Sequence, residues 1–176
     1  MTDSRNFEAT VRPLLDAGYN LARWLLRNDA SAEDAVQEAA LRAFKYYKGL
    51  RGESARAWFL AIVRNVCFTH LEERKRRHEQ TGLDEEELEA FQLELGPQSR
   101  GPDHSLEQRM DRVHIDAALR ALPPILREVI VLRELEEMSY EDIGRVADIP
   151  LGTVMSRLSR ARARLKQLLI QAGVSN

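Results

Sequence analysis

The chain has 176 residues, 26 Lys and Arg against 28 Asp and Glu, and a formal net charge of -2, enough for one ordinary domain or two small ones. With 44% hydrophobic and 31% charged residues, nine Gly and six Pro, it reads as a water-soluble, helix-leaning protein and not a fibrous or membrane-embedded one. No apolar run approaches the roughly 20 residues that span a bilayer, and the opening MTDSRNFEATVRP lacks a signal peptide's basic start and apolar core. Cys67 is the single cysteine, which excludes an internal disulfide and suits a reducing compartment. A cytoplasmic location without membrane insertion is the expectation.

In chain order, three helices are expected in the N-terminal half. The first carries Phe7, Val11, Leu14, Leu15, Leu21 and Leu25 at helical spacing, with Pro13 tolerated if the first turn begins near Arg12. Ser31-Ala-Glu-Asp34 resembles a capping box and is expected to open the second, running to about Lys48 before Gly49. The third, about Ala55 to Arg77, places Phe59, Ile62, Val63, Val66, Cys67 and His70 on one face, with Arg64, Phe68, Glu72 and Lys75 opposite and Asn65 at the flank.

From Glu79 to Glu107 there are nine acidic residues against Arg100 alone, punctuated by Gly82, Gly96, Pro97, Gly101 and Pro102. Such sequence buries too little apolar area to offset its ordering entropy and reads as a flexible acidic linker, with a short helix around Glu85–Leu93. Two units therefore flank it, with boundaries at residues 1–78, 79–106 and 107–176.

The C-terminal half reads as Arg109–Ala121, a break at Leu122-Pro123-Pro124, then Ile125–Leu135. Ser139-Tyr-Glu-Asp142 is a second capping box opening Tyr140–Ala147, Asp148-Ile149-Pro150 turns the chain, and Leu151 to about Ile170 forms the last helix. No window alternates at period two, so the fold class is all-α.

Ile143, Val146, Ile149, Val154 and Leu158 give two helices joined by a short turn one apolar seam, with Gly144 at the crossing and Asp148 where the turn wants a positive φ. This is a helix-turn-helix, whose second helix presents its N-terminal residues to base edges. Thr153, Ser156 and Arg157 face away from the seam, and Arg160, Arg162, Arg164 and Lys166 supply charge for phosphates. A basic helix whose arginines are solvated, or paired with Glu134, Glu136 and Glu137, is the plainer reading. The seam and turn favour DNA.

The stretch LPPILREVIVLRELEEMSYEDIGRVADIPLGTVMSRLSRARARL resembles region 4 of the extracytoplasmic-function (ECF) sigma factors. DASAEDAVQEAALRAF, Asp29 to Phe44, resembles their region 2.2, and RAWFLAIVRNVCFTHLEERKRR resembles regions 2.3 and 2.4. The resemblance implies a protein that binds core RNA polymerase, reads the -35 and -10 promoter elements with regions 4 and 2, and helps to open the duplex. It also implies contact with the clamp helices of the largest polymerase subunit through Asp34, Gln37, Glu38 and Leu41, which lie near i, i+3, i+4, i+7. Taken without it, those four residues read as a solvated helix face. An anti-sigma factor is a common partner of this family.

Aromatics and cations interleave from Phe44 to Arg51, a pattern that grips single strands by stacking and charge. Phe44 and Trp58 read better as core, whereas Tyr46 and Tyr47 fit either role. The resemblance places capture of a flipped -10 base on Arg51, Gly52, Glu53, Ser54, Arg64 and Asn65, and extends the -35 surface to Gly152, Met155 and Ser159. It gives the linker a path towards the polymerase active centre, where acidic charge can mimic a nucleic-acid strand; a passive tether serves equally well.

This sequence departs from the family pattern at Met155, where Lys or Arg is usual, at Asp148, usually glycine, at Thr69, often Asp, and in a Gly52–Trp58 loop one residue shorter than in some members. A stand-alone helix-turn-helix regulator is the rival function, and an adaptor whose acidic linker mimics nucleic acid is a second. Cys67 and His70 are two ligands at i, i+3, too few for a zinc site, and no Gly-rich phosphate loop is present. Neither catalysis nor a cofactor is expected.

Overall fold

The structure is a computed structural model that describes residues 2–47, 50, 54–81 and 106–173. Among these, all regular structure is helical: α1 (Thr2–Val11), a 3-10 turn (Arg12–Leu14), α2 (Leu15–Leu26), α3 (Asp29–Tyr46), α4 (Ala55–Thr81), α5 (Leu106–Arg120), α6 (Pro124–Ile130) continued by a π turn (Val131–Leu135), α7 (Tyr140–Ala147) and α8 (Leu151–Gln171). The acidic linker expected over residues 79–106 lies largely outside the described residues.

The first expected helix is two. Pro13 lacks an N–H donor, so the chain passes it in the 3-10 turn. The preceding α1 is held by Phe7, edge-on to Phe44 and Tyr47 at 5.1 and 5.4 Å, and by Val11, buried in the core. Between α2 and α3 the chain turns within two residues. Arg27 takes the left-handed conformation (φ 59°), and the Asn28 side chain accepts a hydrogen bond from Ser31 N at 2.8 Å. Asn28, not Ser31, is therefore the cap, and α3 begins at Asp29.

Helices α2, α3 and α4 form the first unit. The inner face of α3 is wholly alanine (Ala32, Ala35, Ala39, Ala43), which lets its neighbours approach closely. A side chain at Gly18 would meet the Phe59 ring at 2.9 Å, so α2 and α4 cross where only glycine fits. Phe59, Leu60, Val63, Val66 and Cys67 fill the α4 side of this core. Burial pushes the Cys67 thiol up to about 12. Cys67 is therefore expected to stay unmodified by Ellman's reagent at pH 8 in the folded protein and to react fully in denaturant; rapid modification of folded protein contradicts this packing.

The second unit is built around α6, α7 and α8. The Ser139 hydroxyl accepts from Asp142 N at 3.1 Å and opens α7; Asp148 (φ 53°) closes it in the left-handed conformation expected of the turn. A Cβ at Gly144 would stand 3.0 Å from the Ile149 carbonyl oxygen, so the crossing is as tight as the helix-turn-helix pattern requires. Ile143, Val146, Val154 and Leu158 are all buried along the seam.

The two units also pack on each other, and their buried residues form one continuous apolar cluster. Helix α4 lies along α7, and α2 against α6.

Candidate nucleic-acid interface

On α8 the seam side is closed and the outer side open. Gly152, Met155, Ser156, Ser159, Arg160 and Arg162 are exposed, and Thr153 is half-buried near the turn. Met155 is 54% exposed in the middle of this surface. Arg162 reaches Glu134 at 2.8 Å, and that hydrogen bond pushes its guanidinium pKa further up. Pairing with Glu134, the plainer expectation, thus holds at Arg162 on an exposed surface, where such a pair contributes little.

Arg157 differs from the expectation that it faces outward. Its side chain is 17% exposed and donates to Glu128 Oε1 at 3.2 Å. Arg64 of α4, expected on a surface, is equally withdrawn: Nε and Nη2 donate to the two Glu128 oxygens at 2.7 and 3.2 Å, and the guanidinium stacks 4.1 Å from the Phe68 ring. The reason is Glu128 itself, 0% exposed within the apolar run of α6, where an unmatched carboxyl would be costly. Burial raises its pKa, and the hydrogen bond from Arg64 with the charges of Arg64 and Arg157 opposes that rise. Asn65 stays exposed beside them.

Along α3, Asp34, Gln37 and Leu41 are exposed on one stripe opposite the alanine face, Leu41 at 73%. Glu38 is half-buried and already engaged, by Arg42 on its own helix and by His70 Nε2 at 3.1 Å. His70 is thereby a partner of Glu38 and not of Cys67.

At the end of α3 the aromatics divide. Tyr47 is packed, its ring against Phe7 and Trp58 and its hydroxyl 2.9 Å from the Thr10 hydroxyl, whereas Tyr46 is 59% exposed beside Lys45. Trp58 packs on the core as expected. Phe44 does not: it is 51% exposed, one edge covered by Phe7. The Ser54 hydroxyl accepts from Ala57 N at 3.2 Å and caps α4. Arg51, Gly52 and Glu53 lie outside the described residues.

Sequence reasoning missed the contacts between the two units. Glu136 accepts from Arg56 at 2.6 Å and from Asn20 at 2.5 Å. Arg127, 2% exposed, donates across to the carbonyls of Trp24 and Leu25. One signal was available: Arg127 and Glu128 interrupt the otherwise apolar run Ile125–Leu132, and charges inside a core face need partners.

A helix-turn-helix with a basic outer face, joined to a second helical unit bearing its own exposed stripe, defines a DNA-binding transcription protein. Residues 10–77 match the family Sigma-70 region 2, and residues 112–165 match Sigma-70, region 4. The chain is 35% identical over 151 residues to the ECF RNA polymerase sigma-E factor of Haemophilus influenzae, covering 83% of this chain and 77% of that protein. It is 33% identical over 172 residues to the RNA polymerase sigma-H factor of Pseudomonas aeruginosa, covering 95% and 88%. Among solved structures it resembles the sigma factor RpoE in complex with the anti-sigma factor NepR from Bartonella quintana, with TM-score 0.74, 27% identity, and 94% and 97% of the two chains covered. The chain belongs to the ECF sigma factors of the sigma-70 family, the subunits that direct RNA polymerase to promoters.

Proposed function

We propose that residues 1–78 form region 2, residues 107–176 region 4, and residues 79–106 the linker between them. In this reading α3 docks on the clamp helices of the largest polymerase subunit through Asp34, Gln37 and Leu41, with Glu38 at the edge. Region 2 takes the -10 element with Tyr46, Tyr47, Arg64 and Asn65 and, from the preceding loop, Arg51, Gly52, Glu53 and Ser54; the Tyr47 ring is held by Phe7 and Trp58. Region 4 takes the -35 element with Gly152, Thr153, Met155, Ser156, Arg157, Ser159, Arg160 and Arg162.

The observation that carries this reading is the one-sided outer surface of α8, basic and polar, directly after a turn with a positive φ at Asp148. Met155 gives that surface an apolar centre suited to a thymine methyl group instead of a phosphate. The protein works without catalysis of its own, in the cytoplasm where polymerase is found. An anti-sigma factor is a fitting partner, since a solved relative that matches this chain over nearly its whole length is bound to one.

Permanganate footprinting tests the reading: thymines of a -10 element should become reactive with polymerase plus this chain and stay protected with polymerase alone. Arg160→Ala is expected to weaken promoter binding evenly across upstream sequences and reduce the salt slope by about 1, the signature of a phosphate contact. A loss confined to one base position would make Arg160 a base reader.

A further inference from the structure

The two DNA-reading helices of the proposed function meet at one carboxyl group. Glu128 receives two hydrogen bonds from Arg64 of α4 and one from Arg157 of α8, and no part of it is exposed. We propose that Glu128 is an internal latch that holds the free protein closed and occupies one promoter-reading arginine from each unit, so that DNA engagement requires its release.

Geometry makes the closed arrangement incompatible with a bound promoter. The -35 and -10 elements lie, as their names state, roughly 25 base pairs apart, or about 85 Å at about 3.4 Å per pair. Arg64 and Arg157 instead lie within 3.2 Å of the same side chain. Phosphate oxygens present guanidinium with the same two-pronged acceptor as a carboxylate, so promoter DNA and Glu128 compete for the same donors. The other clasps between the units, Glu136 with Arg56 and Asn20, and Arg127 with the α2 carbonyls, use none of the proposed DNA contacts. Glu128 alone among these couples closure to the reading surfaces. An amide in its place offers oxygen to one guanidinium and turns an NH2 group on the other.

The latch rests on the promoter-reading function, and its test separates the two. Dyes on Thr69→Cys in α4 and Ala163→Cys in α8, both exposed positions, report the separation of the units by energy transfer, with Cys67 buried and silent. Free wild type should give one high-transfer population, and Glu128→Gln should add a low-transfer population. Glu128→Gln should also bind a -35 duplex without polymerase roughly fivefold more tightly, because the competent fraction rises, and should direct transcription like wild type once polymerase holds the units apart. Low transfer in free wild type overturns the latch, as does Glu128→Gln with wild-type transfer and DNA affinity. Should Glu128→Gln fail to fold, Arg64→Gln breaks the same latch from the other side, and unchanged transfer there overturns it equally. Absence of polymerase-dependent transcription by wild type would instead sink the function, leaving the transfer measurement to judge closure alone.

Discussion

Arg127→Met should lower the unfolding free energy by about 4 kcal/mol, a large share of the roughly 5–15 kcal/mol typical of a domain. Arg127 Nε donates to Leu119 O at 3.0 Å, Nη1 to Trp24 O and Leu25 O at 2.9 and 3.4 Å, and Nη2 to Arg120 O and Leu122 O at 2.7 and 2.6 Å. These carbonyls end α2 and α5 or follow directly after them, where helix-terminal oxygens run short of partners (Leu119 O also accepts from Leu122 N at 3.2 Å) and the helix dipole favours a cation. Methionine fills much of the volume but leaves buried acceptors unmatched, at about 1–3 kcal/mol for each that water does not reach. Arg127→Lys should recover less than half, since one ammonium cannot span two helix ends. Urea unfolding of the variants checks both values; a loss below about 1 kcal/mol would mean that the guanidinium holds nothing together.

The second large effect falls on assembly and leaves folding alone. The triple variant Asp34→Ala/Gln37→Ala/Leu41→Ala should weaken binding to core polymerase by about 2–4 kcal/mol, roughly 30- to 1000-fold in Kd. Leu41 is 73% exposed, an apolar anchor flanked by polar groups on a helix whose other face is alanine. All three side chains leave the core untouched, so the unfolding midpoint should shift little. Glu38→Ala should cost polymerase affinity less, because its carboxyl is already held by Arg42 and His70. Surface plasmon resonance with immobilised core enzyme measures both; wild-type affinity in the triple variant would move the docking surface off α3.

What the sequence made legible was local. Ser139 and Asp148 bound α7 by chemistry contained within a few residues, and α7 runs between them as expected. Asn28 caps α3 through its amide oxygen, although Ser31, three residues later, offers the hydroxyl-and-acid signature of a cap. Helix α1 reads as continuous with α2 in the sequence because its anchors, Phe7, Thr10 and the buried Val11, meet partners that local spacing does not show, such as Phe44 and Tyr47. Periodicity put Arg64 and Arg157 on the faces opposite their cores, but it carries no information about Glu128, 64 and 29 residues away. Both helices therefore turn inward an arginine that the sequence alone places on the outer face. The open face of α8 remains as the sequence implies, with Met155 uncharged at its centre.

This chain gives RNA polymerase its promoter choice. Run-off transcription on a library with randomised upstream and downstream elements, using purified core enzyme with and without the protein, tests it most directly. Transcripts should appear only when the chain is present, from templates enriched for one pair of elements at fixed spacing, and should be lost with the α3 triple variant. Transcription that ignores the library sequence, or a chain that binds DNA sites but leaves core polymerase unable to start, would contradict it.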